Sequence, residues 1–221
     1  MRVPVAFVDA NVLYSKTLRD WLMLLRIETG GGMFALCTSE DSLTEALYHL
    51  RKSEPAAPGE FTGEIQKRIR EYFDDVIDAF PAIEFPGDDE HDQHIHAAAT
   101  FVNSAYLIAD DTGFQKIDTD LLPYEVHTAD TFFMLAAANM PSAVDSVIIR
   151  QLKYYAGREN AKRLDVKLQE AGCPRFAECI RLHLEHLAAG ESTHGIADEL
   201  ILAAPAPQAS AVLGVLTDHA R

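Results

Sequence analysis

The stretch that decides the fold stands near the beginning of the chain and reads Val5-Ala-Phe-Val-Asp9. Four apolar residues followed by an acid are typical of a short strand that is buried on both faces. Strands of this kind belong to parallel sheets that are covered by helices. We therefore expect Asp9 at the carboxyl end of the first strand of such a sheet.

The same pattern returns along the first part of the chain, where short apolar runs alternate with segments of helical spacing. Further strands are predicted over 33–37, 105–109 and 124–126, and helices over 18–27, 40–50, 61–80 and 94–104. This alternation predicts an α/β fold with a central parallel sheet. After residue 128 only helical patterns follow, so we predict a first domain over 1–140 and a helical C-terminal extension over 141–221.

The composition is that of a soluble globular protein, with 48% hydrophobic and 24% charged residues. No run approaches the roughly 18 apolar residues of a membrane helix, and Asp9 interrupts the apolar N-terminal run that a signal peptide would need. The cysteines Cys37, Cys173 and Cys179 form no CxxC pair. We therefore expect reduced thiols and a cytoplasmic protein that binds no membrane.

The charge is distributed unevenly along the chain. The formal net charge is -15, and 25 of the 34 acids but only 10 of the 19 bases lie in residues 1–145. Acids spread over a surface repel nucleic acid, whereas acids gathered in a cleft attract divalent cations. Solvated, solubility-promoting acids are the alternative interpretation for many of them.

Several acids fall where a parallel sheet places its ligands, outside the carboxyl ends of the strands. Asp9, Asp110 and Asp111 directly follow predicted strands, Glu45 lies about two turns into a predicted helix, and Asp92 begins another helix. Carboxylates buried together need cations, and Mg²⁺ and Mn²⁺ prefer oxygen ligands. Taken singly, Asp92 has the alternative interpretation of a helix cap, Glu45 of a solvated helix residue, and Asp110 with Asp111 of a turn.

Four blocks of the sequence resemble those of PIN-domain nucleases. Phe7-Val-Asp-Ala-Asn-Val-Leu13 resembles the opening block of that family, in which an acid ends the first strand. The later blocks are Ser39-Glu-Asp-Ser-Leu-Thr-Glu45, Asp92-Gln-His-Ile-His-Ala-Ala-Ala99 and Leu107-Ile-Ala-Asp-Asp-Thr-Gly-Phe114. Their order and spacing match the family across roughly residues 3–127.

The resemblance implies a PIN-like three-layer α/β/α sandwich and a set of site residues. Asp9, Glu45, Asp92 and Asp111 would be the catalytic metal ligands, with Asp110 as a neighbour or substitute and with Asn11 and Ser39 as polar supports. Ala109 stands where many members have Thr, and Gly113 stands where many have a second acid. The resemblance therefore leaves the choice between Asp110 and Asp111 open.

The resemblance also implies an activity and partners. It implies an Mg²⁺- or Mn²⁺-dependent endoribonuclease that hydrolyses RNA to 5′-phosphate and 3′-hydroxyl ends. Within the family the chain is most similar to VapC-type toxins of toxin–antitoxin pairs, which an antitoxin protein holds silent, and a homodimer is compatible with that assignment. The residues after 128 make the chain longer than a minimal toxin.

Two alternatives to a nuclease follow from the same residues. The first is a PIN-like binding module without catalytic activity. The second is a haloacid-dehalogenase-like phosphatase, which would need a second Asp where Asn11 stands. A site made of His91, His94 and His96 is disfavoured, because residues two or five apart do not share one face of a helix.

A basic segment follows in the predicted extension. Arg150, Lys153, Arg158, Lys162, Arg163 and Lys167 lie close together along the chain, with Tyr154 and Tyr155 among them. Cations interleaved with aromatic residues are typical of surfaces that bind RNA, and a solvated helix surface is the alternative. From this pattern we expect charge reversal at Lys162 and Arg163 to weaken RNA binding and to leave metal affinity unchanged.

Overall fold

The computed structural model describes residues 3–159 and 161–203. Its centre is a five-stranded sheet of β1 (Val5–Val8), β2 (Ala35–Ser39), β3 (Asp75–Ile77), β4 (Tyr106–Ile108) and β5 (Glu125–His127). All four strand pairs are parallel, in the order β3-β2-β1-β4-β5. The predicted α/β class, with a parallel sheet flanked by helices, is confirmed.

The strand order places a topological switch between β1 and β4. From β1 the chain builds the sheet outward through β2 and β3, and it then returns to add β4 and β5 on the other side. Ligands of open α/β sheets bind at the carboxyl ends of the strands that flank such a switch. The Asp9 N–H donates to the Ile108 carbonyl at 3.0 Å, which continues the β1–β4 pairing to that edge.

Five helices accompany the strands in the first part of the chain: α1 (Ala10–Tyr14), α2 (Lys16–Glu28), α3 (Glu40–Ser53), α4 (Glu60–Tyr72) and α5 (Gln93–Phe101). Helix α2 ends just before the glycine run, where Gly30 (φ 58°) and Gly31 (φ 71°) adopt the left-handed conformation that glycine tolerates best. Helix α3 begins after Ser39, whose Oγ accepts the Ser42 N–H at 3.1 Å as an N-cap. Both boundaries agree with the sequence analysis.

One face of the sheet forms a continuous apolar core with α5. Phe7 and Leu107 from the two central strands are fully buried there, as are Ala98 and Ala99 of the helix. Alanine side chains are short, so the helix backbone can lie close to the sheet. This packing fixes the start of α5 beside the carboxyl ends of β1 and β4.

The described residues after the sheet are helical, as predicted: α6 (Ala129–Asn139), α7 (Pro141–Tyr155), α8 (Leu164–Glu170), α9 (Pro174–Ala189) and α10 (Ile196–Leu202). Helix α6 packs against α7, α9 and α10. Its Asp130 carboxylate accepts the Phe176 N–H at 2.8 Å and the Arg175 N–H at 3.3 Å, so it satisfies free donors in the first turn of α9.

The chain forms two compact units, one up to Thr128 and one from Ala129 onward. The sequence analysis places the border after residue 140, one helix later. Helix α6 belongs to the second unit because its buried Phe132, Phe133 and Leu135 join a helical core with α9 and α10. Residues 204–221 of the predicted extension lie outside the described residues.

One element differs from its prediction. The sequence predicts a single helix over 61–80, because Ile65, Ile69 and Phe73 have helical spacing. The structure ends α4 at Tyr72 and pairs β3 with β2 instead. The Asp74 N–H donates to the Leu36 carbonyl at 2.8 Å, so the prediction is wrong at its end because a distant strand supplies better backbone partners.

Among the described residues, no single helix has both the length and the apolar character of a membrane span. Only α6 and α7 together meet those criteria, and they form a pair bent by 113°.

Candidate active site

Asp9 lies between the last residue of β1 and the first residue of α1. Its Oδ1 accepts the Ala10 N–H at 2.6 Å, and its side chain occupies the N-cap position of that short helix. The residue is 4% exposed. A buried carboxylate that accepts only one hydrogen bond from the described residues is costly in its ionised form.

The pKa of Asp9 reflects that cost. The pKa is raised to about 7: burial is the main cause, the Ala10 N–H acts in the opposite direction, and the charges of Glu45, Asp92 and Asp111 contribute to the increase. These three acids come from α3, from the start of α5 and from the loop after β4. The fold therefore gathers acids from four separate segments around the carboxyl end of β1.

Asp92 is the second buried carboxylate. It ends a short 3₁₀ turn (Glu90–Asp92) and occupies the N-cap position of α5, but its side chain makes no capping hydrogen bond. It is 6% exposed, and its buried Oδ2 has no hydrogen-bond partner among the described residues. The interpretation of Asp92 as only a helix cap is therefore wrong.

Burial is also the main reason that the pKa of Asp92 rises to about 6. The charges of Asp111 and Asp89 raise it as well, whereas His94 and His91 act in the opposite direction. The buried Oδ2 of Asp92 has no donor among the described residues, and Asp9, Asp89 and Asp111 add negative charge around it. Asp92 therefore has unused capacity to bind a cation.

Gly113 lies between two of these acids. Its N–H donates to Asp111 Oδ1 at 2.5 Å. A Cβ atom at this position would clash with Asp92 Oδ2 and would lie 2.9 Å from Asp111 Oδ1. The space beside Gly113 is therefore filled by two carboxylates, which leaves no room for a larger side chain.

Asp111 interacts electrostatically with both buried acids of the site. The charge of Asp111 raises the pKa of both Asp9 and Asp92. The backbone N–H of Asp110 donates to Asn11 Oδ1 at 3.2 Å, which ties the loop after β4 to the start of α1. Asn11 thus supports the loop that presents Asp111.

Glu45 lies on helix α3, and Ser39 ends β2 directly before that helix. Ser39 is fully buried and caps this helix, so it positions the element that carries Glu45. The Glu45 side chain is 47% exposed and lies 3.7 Å from His49 Nε2. Glu45 therefore contributes negative charge to the site from its solvent side.

The four acids differ in how well they suit a metal. Asp9 and Asp92 are buried, carboxylate oxygens are the ligands that Mg²⁺ and Mn²⁺ prefer, and Asp92 Oδ2 is unsatisfied. Within residues 3–159 and 161–203, no three His, Cys, Asp or Glu side chains are arranged closely enough to hold a metal ion. The donor types therefore fit a hard cation, but the side chains as they stand do not form a coordination shell.

A cleft of about 440 Å³ opens beside Asp92 and Asp111. Its lining also includes Phe85, Ile117 and the exposed Lys116. The cleft therefore combines apolar surface and one cation with five acids, because Asp88, Asp89 and Asp118 line it as well. Sequence reasoning did not single out Lys116, although a lone base within the acidic stretch 110–120 is a usable signal.

The three histidines do not form a cluster of their own. His96 is buried in the core, with Nδ1 2.8 Å from the Tyr124 hydroxyl, and burial lowers its pKa. His91 is exposed and His94 is half-buried. This arrangement agrees with the expectation of core and surface histidines.

The basic residues lie in the second unit and fall into two groups. Lys162 pairs with Glu170 at 2.7 Å, and Arg163 makes a two-pronged contact with Asp165 at 3.0 and 2.9 Å. Arg150, Lys153 and Arg158 are exposed. Lys162 and Arg163 are therefore already paired with acids of their own unit.

Comparisons with family models, with curated proteins and with solved structures find no match to this chain.

Proposed function

We propose that this protein is a metal-dependent endoribonuclease that hydrolyses RNA phosphodiester bonds. The observation that carries the proposal is the buried Oδ2 of Asp92, which has no partner among the described residues and belongs to a group of mutually coupled acids. Unsatisfied buried carboxylate oxygens are costly unless a cation binds them. The resemblance of four sequence blocks to PIN-domain nucleases supports the same function.

Asp9, Asp92, Asp111 and Glu45 would hold Mg²⁺ or Mn²⁺ in this proposal, directly or through water. When bound, the metal supplies charge neutralisation at the phosphate and lowers the pKa of attacking water. Asn11 holds the Asp111 loop through the Asp110 N–H, and Ser39 caps the helix of Glu45. These two residues position the acids and have no chemical role of their own.

The cleft beside Asp92 and Asp111 would receive the RNA. Lys116 lines it and can attract a phosphate, while Phe85 and Ile117 offer apolar surface to a nucleobase. An RNA strand entering here would bring a phosphodiester to the acids. We therefore expect Lys116→Gln to raise KM more than it lowers kcat.

The biological role we propose is that of a toxin held silent by an antitoxin protein in the cytoplasm. This part rests on the sequence resemblance to VapC-type toxins. It is tested by co-expression with the product of any small neighbouring open reading frame. Growth arrest that the neighbour relieves, together with a co-purifying complex, is the expected result.

The decisive experiment is cleavage of a mixed set of end-labelled RNAs with EDTA, Mg²⁺ or Mn²⁺. We expect cuts that require the metal in the wild type and that are lost in Asp9→Asn and Asp92→Asn. The matched control is Glu64→Gln, which removes one negative charge from an exposed position on α4. Cutting by Asp9→Asn at the wild-type rate contradicts the proposal.

The same proteins separate the two alternatives. A phosphatase would release phosphate from a small phosphomonoester, and an inactive binding module would retain RNA without cutting it. Asn11 accepts a backbone N–H from Asp110, so it holds the loop and carries no acidic proton for phosphatase chemistry.

A further inference from the structure

Two tyrosines of the second unit, Tyr154 and Tyr155, make cation–π contacts with basic side chains. Tyr154 is 54% exposed, and the Arg158 guanidinium carbon lies 3.9 Å from its ring centroid. The Lys167 ammonium lies 3.1 Å from the ring centroid of Tyr155. The two rings meet edge to face with centroids 5.0 Å apart, so they form one continuous aromatic surface.

Arg158 and Lys167 differ from the nearby Lys162 and Arg163 in whether a carboxylate contacts them. Lys162 and Arg163 contact Glu170 and Asp165, which neutralise them locally. Within residues 3–159 and 161–203, Arg158 and Lys167 contact these tyrosine rings and no carboxylate. Among the residues that the structure describes, Lys153 contacts no carboxylate either.

The charged surface continues along α7. Ser146, Ile149, Arg150 and Lys153 line a shallow groove of about 320 Å³. Their spacing of three and four residues puts them on the same helical stripe as Tyr154. The stripe therefore leads from the groove to the stacked Tyr154–Arg158 pair.

We propose that this surface, the basic-aromatic face of Arg150, Lys153, Tyr154, Tyr155, Arg158 and Lys167, binds single-stranded RNA. A single strand alternates anionic phosphates with flat bases, and it matches a face that alternates cations with aromatic rings. In a duplex the bases are stacked inside and cannot reach a tyrosine. The inference rests on the proposed function in taking RNA as the ligand, and it adds a binding surface outside the acidic site.

The structure changes the expected result for the basic pair that the sequence singles out. Lys162 and Arg163 are ion-paired, so their removal should cost little RNA affinity. Removing the charges of Lys153 and Arg158 should lower RNA affinity much more. The two pairs carry equal charge, which makes one the matched control for the other.

The test uses the full-length Asp9→Asn protein in EDTA, titrated with a fluorescent, unstructured oligouridine at several salt concentrations. We expect Lys153→Gln/Arg158→Gln to weaken binding about tenfold and to reduce the salt slope by about 1.4, the value for two lost phosphate contacts on a single strand. Lys162→Gln/Arg163→Gln should change affinity by less than about twofold. Tyr154→Ala should weaken binding by roughly 5- to 100-fold, and Tyr154→Phe should restore it.

Equal losses in the two double variants would overturn the inference, because net charge alone would then explain binding. Preferential binding of an oligoglutamate peptide at this face would also overturn it. Wild-type cleavage is measured in parallel to separate the two proposals. Metal-dependent cutting with RNA binding unaffected by Tyr154→Ala refutes only the basic-aromatic face, whereas strong RNA binding through the face without any cutting refutes only the hydrolysis.

Discussion

At the scale of single residues, Asp9 shows what it costs to bury a carboxylate in its ionised form. Its pKa is raised from 3.8 to about 7, mainly by burial. A carboxyl group whose pKa is higher in the folded than in the unfolded protein loses stability as pH rises between those two values. Without metal, the ionised Asp9 therefore destabilises the fold above neutral pH.

Replacing Asp9 by Asn should consequently stabilise the metal-free protein. Asn keeps an oxygen that can accept the Ala10 N–H, but it has no charge to bury. In urea unfolding at about pH 8 with EDTA, we expect a gain of roughly 1–3 kcal/mol, below the upper limit set by a shift of about three pKa units. The gain should vanish below about pH 4, where the unfolded Asp is also protonated.

Mg²⁺ provides the complementary measurement. The stability of the wild type should rise with Mg²⁺ concentration, logarithmically once the concentration exceeds the Kd, and the effect on Asp9→Asn should be smaller. A variant that is less stable than the wild type at about pH 8 in EDTA would show that Asp9 is a structural cap and not a costly site residue.

Gly113 gives a second prediction at this scale. In Gly113→Ala the new methyl group would overlap Asp92 Oδ2, so we expect weaker Mg²⁺ binding and cleavage reduced by about tenfold or more. The control is Gly63→Ala in α4, where a Cβ meets nothing within 4 Å. That change should add about 0.5–1 kcal/mol of stability without altering Mg²⁺ affinity. Unchanged Mg²⁺ affinity in Gly113→Ala, measured by calorimetry, would place the metal elsewhere.

At the scale of elements, β3 shows where local pattern fails. Residues 73–77 are apolar enough to extend α4, yet Asp74 leaves the helix and accepts the Leu36 N–H at 2.8 Å and the Arg26 Nε–H at 2.8 Å. The same contact with Arg26 lowers the pKa of Asp74. A residue 38 positions away along the chain therefore decides that this segment pairs with β2.

Asp74→Ala should loosen that strand. It removes an exposed carboxylate and leaves the N–H of the buried Leu36 without its side-chain acceptor, so we expect a loss of about 1–2 kcal/mol in denaturant unfolding. The contribution of Asp74 should fade as pH falls through its lowered pKa, because that group stabilises the fold only when ionised. Hydrogen exchange at Leu36 is the local readout, and unchanged protection there would contradict this account.

At the scale of the whole molecule, charge is the dominant feature. The net charge of -15 arises almost entirely in residues 1–145, so the chain repels itself more than a balanced protein does. We expect the melting temperature of the metal-free protein to rise as sodium chloride increases, because salt screens this repulsion over about a Debye length. Mg²⁺ should give a further increase at equal ionic strength, and an identical response to both salts would argue against a specific divalent site.

The sequence by itself determined the parallel α/β sheet, the all-helical character of the later residues and the position of Asp9 at the end of β1. These features follow from neighbours along the chain, since apolar runs, glycines and caps act over a few residues. It also placed Asp92 and Asp111 among the site candidates through the spacing of their blocks.

Only the tertiary structure decided which of those acids are buried, unsatisfied or coupled. The sequence allows Asp92 to be a helix cap, whereas in the structure its Oδ2 is buried without a partner among the described residues. Likewise, only the structure shows that two carboxylates lie against Gly113. Within the basic segment, too, only the structure shows that Lys162 and Arg163 are paired with Glu170 and Asp165. Burial and Coulomb interactions depend on distance in space, and segments far apart in the chain set that distance.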